Sequence, residues 1–446
     1  MNVPAIPLTE FEDEAEGVRL EDFVAYMPTH GYIFVPTREM WAAASVNARI
    51  PPIPLKNSDG TPNVNDKGEQ ITLPASVWLD RNRPVEQMTW SPGEPLEIEG
   101  RLISAGGWID RLGCTVFNLY RPPTIQPKSG NVDFWLNHVR RLYGDDADHI
   151  VKWLAHRVQR PHEKINHALV LGGDQGIGKD TLLEPVKQAV GPWNFAEVSP
   201  QHVLGRFNGF LKSVILRISE ARDLGDSDRF AFYDHMKAYT ATPPDVLRVD
   251  EKFRNEYAIP NVCGVIITTN HKADGIHLSA DDRRHFVAWS NLTKEDFTES
   301  YWRKIYEWFA SGGHEAVAAY LAGYDLSGFN PKSPPPKTEA FWEIVNASRA
   351  PENAELADAI EFLGEPDAMT LASLISAANG DFAVWLQDRK NARKVPHRLD
   401  ECDYVSVQNP DSKQGLWRIN GKRQVVYAKR SLSLRDRIAA ASQLTR

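Results

Sequence analysis

Cysteine is scarce and scattered. Cys114, Cys263 and Cys402 lie far apart in 446 residues, so neither a disulfide framework nor a Cys-x-x-Cys metal pair can be built. This usage fits a reducing compartment, and a cytoplasmic location is expected. No apolar run approaches the roughly 18 residues of a membrane span, so no membrane partner is expected. The stretch from Met1 to Asp13 is acidic and lacks the basic-then-apolar order of a signal peptide. A positive balance is lacking too. The net charge of −8 excludes a wholesale nucleic-acid coat but leaves room for a local basic surface. No internal repeat or low-complexity tract is evident, and residues 1–130 carry no paired-carboxylate or zinc-cluster pattern.

What is present centres on Leu169-Val170-Leu171-Gly172-Gly173-Asp174-Gln175-Gly176-Ile177-Gly178-Lys179-Asp180-Thr181. An apolar run, a glycine-rich turn ending in Gly-Lys and a resumed apolar pattern predict strand, loop and helix, the layout of a phosphate-binding P-loop. The backbone of residues 173–178 would close around phosphate oxygens, and Lys179 would reach the β- and γ-phosphates. The pattern is imperfect. Asp180 occupies the place of the hydroxyl that ligates Mg²⁺, and Thr181 comes one place late. A glycine-rich surface turn is the alternative reading of this stretch alone.

The surrounding chain divides into four. Residues 1–130, rich in Pro and Gly, predict a small loop-rich β-containing accessory or docking region. Residues 131–330 alternate helical and β-branched patterns. Residues 331–338 are a Pro-rich linker. Residues 339–446 predict helices over 340–363, 369–378 and 385–398. A hairpin of 403–407 with 415–419 and a strand at 424–427 follow, which together suggest a winged helix. From Arg389 to Arg437 there are 13 Lys and Arg against 5 acids, a local +8 that suits contact with a phosphate backbone. Arg389, Lys390, Arg393, Lys394, Lys422 and Arg423 are its candidate DNA-binding residues.

Within 131–330, Val214-Ile215-Leu216-Arg217-Ile218-Ser219-Glu220 reads as a buried parallel strand delivering an acid to its C-terminal edge. Val262 to Asn270 is a second such strand, ending in an amide able to orient a lytic water. The helix after Lys179 is expected from Thr181 to about Val190, interrupted or bent at Pro185. Residues 245–254 read as a hairpin arm with Lys252 and Arg254 near its tip. Asp282-Arg283-Arg284 offers cations for a γ-phosphate.

As an ordered set, these elements resemble superfamily 3 helicases, the viral and phage replicative ATPases, and in particular the helicase portion of phage and plasmid primase-helicases. The resemblance covers roughly residues 130–340. It implies an α/β fold with a P-loop AAA+-type ATPase core, using ATP and Mg²⁺ to translocate on single-stranded DNA at a replication fork. It implies a homo-oligomeric ring, usually a hexamer, in a host cytoplasm if phage-encoded. By the resemblance Lys179 binds phosphate, Glu220 activates water, and Asn270 is the sensor. Arg283 or Arg284 is an arginine finger for the neighbouring subunit, and Lys252 grips DNA. The metal ligands would come from Asp180, Thr181, Ser219 and Glu220. One linked expectation is that Asp180 supplies a carboxylate and Ser219 a hydroxyl in exchanged places; the other is that Thr181 ligates through a shifted loop. A primase or polymerase would be a separate chain. The alternative function is a nucleotide-dependent DNA-binding assembly or loading protein with little unwinding.

Overall fold

The computed structural model describes residues 17–219, 225–252, 254–272, 276, 278–347, 351–388, 391–392 and 394–445. The candidates Glu220, Arg389, Lys390 and Arg393 lie outside them. Two compact units are formed, Met1–Ile344 and Val345–Arg446.

The first unit is built on a five-stranded parallel sheet. Its spatial order is Phe195–Val198, Ile215–Ile218, Gly264–Thr269, Ala168–Gly172, His285–Trp289. Numbered along the chain, that is 2-3-4-1-5. The central strands are near-continuous apolar runs, the pattern of strands covered on both faces, and Leu169, Val170, Leu171 and Ile266 are fully buried. Helices Asp133–Tyr143 and Ala147–Gln159 precede the sheet, and Glu299–Trp308 and His314–Ala322 follow it. The helix after the glycine loop runs Lys179–Val190 and starts earlier than expected. Pro185 lies buried inside it without ending it.

Residues 17–120 form two small sheets and a two-stranded pair, Ile53–Pro54 with Thr72–Leu73. Strands Glu39–Ala42, Gly31–Phe34, Phe23–Tyr26 and Pro84–Val85 make one, over a core of Phe23, Tyr32, Val46, Trp78 and Leu79. Strands Gln87–Thr89, Gly107–Asn118 and Glu97–Ser104 make the other. The expected charged hairpin forms from Val246–Val249 and Tyr257–Pro260. It leans on the N-terminal sheet, where the Thr89 hydroxyl donates to the Ala258 carbonyl at 2.8 Å. The N-terminal region therefore belongs to the same compact unit as the parallel sheet.

The second unit has an antiparallel sheet in the order Ala368–Thr370, Val426–Lys429, Tyr404–Val407. Leu356, Ile360, Leu374, Phe382 and Leu399 fill its core. Three expectations are corrected here. Met369 lies in a strand, with the helix starting only at Leu371, because Thr370 caps it by accepting from the Ser373 amide. Strand 404–407 does not pair with 417–419. It pairs with 426–429, while Trp417–Ile419 pairs with Lys422–Gln424. The second pairing is set by Asn420-Gly421 at φ 50° and 76°, the two positive values that a tight two-residue turn requires. The helical stretch expected over 385–398 is two helices, Gly380–Gln387 and Val395–Glu401.

Candidate nucleotide site

Open α/β sheets bind ligands beyond the carboxyl ends of their strands, where the strand order reverses. Strand 168–172 occupies that place here, with strand 4 of the chain order on one side and strand 5 on the other. The loop leaving it ends at Gly178, at φ 95°. A Cβ at that position would meet Trp302 at 2.5 Å and His138 at 2.7 Å, so only glycine fits. The Gly178 carbonyl is held by His138 Nε2 at 2.9 Å, and His138 Nδ1 lies 2.7 Å from the Tyr301 hydroxyl. Since a carbonyl can only accept, the Nε2 atom carries the proton. Burial, and to a lesser degree Arg141, depresses the His138 pKa against the opposing pull of that carbonyl, keeping the ring neutral.

A cleft of about 340 Å³ opens over the loop, lined by Gln175, Gly176, Gly178, Lys179, Asp180 and Thr181 together with Arg217, Thr268, Asn270, Trp302 and Tyr306. Lys179 is the first residue of the helix and is 8% exposed. Its ammonium donates to the carbonyls of Gly173 at 2.6 Å and Asp174 at 2.8 Å, and to Asn270 Oδ1 at 2.7 Å. Burial pulls its pKa down to about 8; Arg217 acts in the same direction and Asp180 opposes it. Asn270 thus arrives from the end of strand 264–269 onto the lysine, joining two candidates that lie 91 residues apart. Ile177 is buried under the loop.

Sequence reasoning missed Arg217, His138, Trp302 and Tyr306. Arg217 stands inside an otherwise apolar strand, an oddity that was legible in the sequence. Its guanidinium ion-pairs with Asp180, lies 3.3 Å from Glu197, and donates to the Thr268 hydroxyl at 3.3 Å. The Thr181 hydroxyl lies 3.1 Å from the Tyr306 hydroxyl. Ser219 donates its amide to the Val198 carbonyl and is not among the residues lining the cleft.

These donors test the two expected ligands. The glycine loop, Lys179 and Arg217 fit a polyphosphate. They fit a resident Mg²⁺ less well. Among the described residues the cleft holds one acid, Asp180, already matched by Arg217, and no group of three or more His, Cys, Asp or Glu is placed to hold a metal.

Arg283 and Arg284 are not brought to this cleft. They precede strand 285–289, whose register with strand 168–172 sets them at the opposite end of the sheet from the loop. The Arg284 carbonyl accepts from the Ala168 amide at 2.8 Å, and its guanidinium donates to the Lys237 carbonyl at 2.6 Å. Arg283 is exposed. Asp282 organises the turn, accepting from Tyr233 at 2.7 Å and from the Arg284 amide at 2.9 Å. Burial would raise its pKa, but hydrogen bonds from His285 and the turn hold it well below the usual carboxylate range. Arg254 pairs with Glu251 at 3.1 Å beside Lys252, away from the nucleotide cleft. Lys394, Lys422 and Arg423 are exposed on the second unit.

A family of unknown function, DUF5906, matches residues 171–284. No curated protein matches the chain. Among solved structures, the apo structure of the NrS-1 C terminal region is similar with a TM-score of 0.59 at 16% identity, over 90% of this chain and 93% of that one. An A form apo structure of the same region gives 0.56 at 16%, over 90% and 93%. At this identity the likeness is one of fold: a mixed α/β architecture with a parallel sheet.

Proposed function

We propose that the chain is an ATP-dependent DNA helicase that moves along single-stranded DNA as an oligomeric ring, a hexamer by the resemblance. The observation that carries this reading is the convergence of Lys179 and Asn270 over a glycine loop at the point where the strand order reverses. The order 2-3-4-1-5, with the loop after strand 1, supports a P-loop core of the AAA+ type. The order helix, strand, three helices, strand, hairpin, strand and helix in the second unit supports a winged helix, with Lys422 and Arg423 beside the hairpin tip.

Catalysis of phosphoryl transfer to water rests on positioning and charge stabilisation. Lys179 now spends its protons on two loop carbonyls and on Asn270, and phosphate oxygens would take over those bonds. Asn270, once released, is placed to orient water. His138 fixes the carbonyl of Gly178, so the loop is organised before ligand arrives. Glu220 follows two residues after Ile218 and is the expected activator of water. Arg283, exposed at the far end of the sheet, suits the finger for a neighbouring subunit better than Arg284, whose guanidinium is engaged within its own chain. Mg²⁺ neutralises phosphate charge in such sites; here it would rest chiefly on the nucleotide, with Asp180 the described acid in reach.

The Asp180–Arg217 pair favours a second reading, a nucleotide-dependent DNA-binding assembly or loading protein with little unwinding. DNA-stimulated ATP hydrolysis that is abolished by Lys179→Ala supports the helicase. Nucleotide-dependent oligomers with negligible turnover support the second reading.

A further inference from the structure

A second cleft, of about 470 Å³, opens where residues 37–39, Leu119 and Arg121 of the N-terminal region face Trp193, Lys212, Glu251, Lys252 and Arg254. Five cations line it, Arg38, Arg121, Lys212, Lys252 and Arg254, against two acids, Glu39 and Glu251. Glu251 is saturated. It accepts from Lys212 at 2.7 Å, from Arg254 at 3.1 Å and from the Tyr257 hydroxyl at 2.7 Å. Glu39 is exposed and accepts from the Thr37 hydroxyl at 3.1 Å. The lining therefore carries a surplus of positive charge in a chain of net −8.

The arrangement of the cations is unusual in two ways. Arg38 sits at φ 65°, a conformation unfavourable for an arginine backbone, and stacks over Phe117 at 5.3 Å. Its Nε is buried without a hydrogen-bond partner. Burial depresses its pKa and the neighbouring Arg121 depresses it further, while Arg38 Nη1 donates to the Val35 carbonyl and Arg121 Nη1 to the Pro36 carbonyl. The Arg121 guanidinium in turn lies over the Trp193 ring, 4.7 Å from its centroid, while the indole N–H donates to the Arg121 carbonyl at 2.9 Å. Trp193 nevertheless keeps 37% of its surface open. An indole held by its own hydrogen bond beside two neighbouring guanidiniums suits a strand of polynucleotide: the cations meet successive phosphates and the ring accepts a base.

We propose that this cleft is a binding site for a single-stranded polynucleotide, with Arg38, Arg121 and Lys252 on the phosphates and Trp193 as the stacking platform. The cations come from four separate segments rather than converging on one backbone nest, which suits a run of phosphates better than a single nucleotide. This assigns a role to the N-terminal region and does not depend on the nucleotide site being an ATPase.

The test is fluorescence anisotropy of labelled oligo-dT and oligo-U of about 20 nucleotides against the full chain over a range of salt. The variants are Arg121→Gln with Lys252→Gln, Trp193→Leu, and Lys67→Gln as a surface control. Each phosphate contact contributes about 0.7 to the slope of log affinity against log salt for single strands. The double variant is expected to lose about 1.4 from that slope, and Trp193→Leu to bind about fivefold or more weakly at unchanged slope. The strand showing the larger loss names the ligand. Lys179→Ala is expected to keep the wild-type slope, which separates this site from the nucleotide reading. The proposal is overturned if the double variant and Trp193→Leu, melting as the wild type does, keep slope and affinity within the spread of Lys67→Gln. It is also overturned if millimolar ATP displaces the strand from Lys179→Ala as well as unlabelled oligonucleotide does.

Discussion

On the proposed reading Lys179 must be charged to hold phosphate, and its pKa of about 8 in the cleft makes nucleotide affinity a function of pH. The bound nucleotide would hold Lys179 protonated, so binding above pH 8 takes up a proton. The sign follows directly: affinity is full below the folded pKa and falls as pH rises through it. A group with this pKa is about 90% charged at pH 7 and about 10% at pH 9, so affinity should drop about tenfold, or about 1.4 kcal/mol, over that interval. A lysine at its ordinary value near 10.4 would lose less than about a tenth. Equilibrium titration with a fluorescent ATP analogue measures the drop. Calorimetry in buffers of different ionisation enthalpy should register uptake of about 0.9 proton at pH 9. Lys179→Arg is the control, since its guanidinium does not titrate in this range. A wild-type profile that is flat to within twofold between pH 7 and 9, and parallel to that of Lys179→Arg, would refute the reasoning.

Four further outcomes are expected. Asp180→Asn removes an anion from the phosphate cleft and should raise metal-free ATP affinity about fivefold, equivalent to about 1 kcal/mol for a charge 80% exposed; no gain, or a loss, counts against Arg217 as a phosphate partner. Arg217→Met should move the pH break in nucleotide binding upward, because Arg217 is one of the groups that depress Lys179, and an unmoved break contradicts that coupling. His167 is buried and its pKa is pulled down to about 3, by burial first and then by His149, so the fold should lose stability as pH falls from about 6.5 toward 3. At pH 5 that is on the order of 2 kcal/mol from this residue, readable as a lowered melting temperature that His167→Gln makes less steep. Ending the chain at Ile344, where the first unit closes, should weaken DNA binding more than basal ATP hydrolysis; equal DNA affinity with and without residues 345–446 would remove the DNA-binding role of the second unit.

The core of the first unit was legible because its strands are unalternating apolar runs and its loop is punctuated by glycines at positive φ. Both are local signals, and they placed Lys179 and the strand ending at Thr269 correctly in relation to the sheet. What was not legible depends on contacts made at a distance. His138 reads as one more residue of an amphipathic helix until the fold brings it to the Gly178 carbonyl, 40 residues away. Trp302 reads as part of the apolar stripe of a helix with Ile305, Trp308 and Phe309, yet it lines the cleft together with Tyr306. Arg217 was visible as a charge inside a buried strand, but its partner Asp180 is fixed only by the stacking of strand against helix. In the second unit the error had a local remedy. Asn420-Gly421 is a stronger turn signal than Asn409-Pro410-Asp411-Ser412, and reading it first would have paired 417–419 with 422–424.

The two strands that flank the loop have a mechanical consequence. Strand 168–172 begins at a hydrogen bond to the Arg284 carbonyl and ends at the glycine loop, and strand 285–289 runs beside it in parallel register. Five residues of extended chain make a stiff strut about 17 Å long. At its far end Trp289 packs so closely on Gly172 that a Cβ there would come within 2.0 Å of the ring, leaving no slack in the joint. The strand is therefore held at both ends, by the Arg284 carbonyl and by Trp289. A residue larger than glycine at 172 would have to displace the Trp289 ring or the strand that carries the loop.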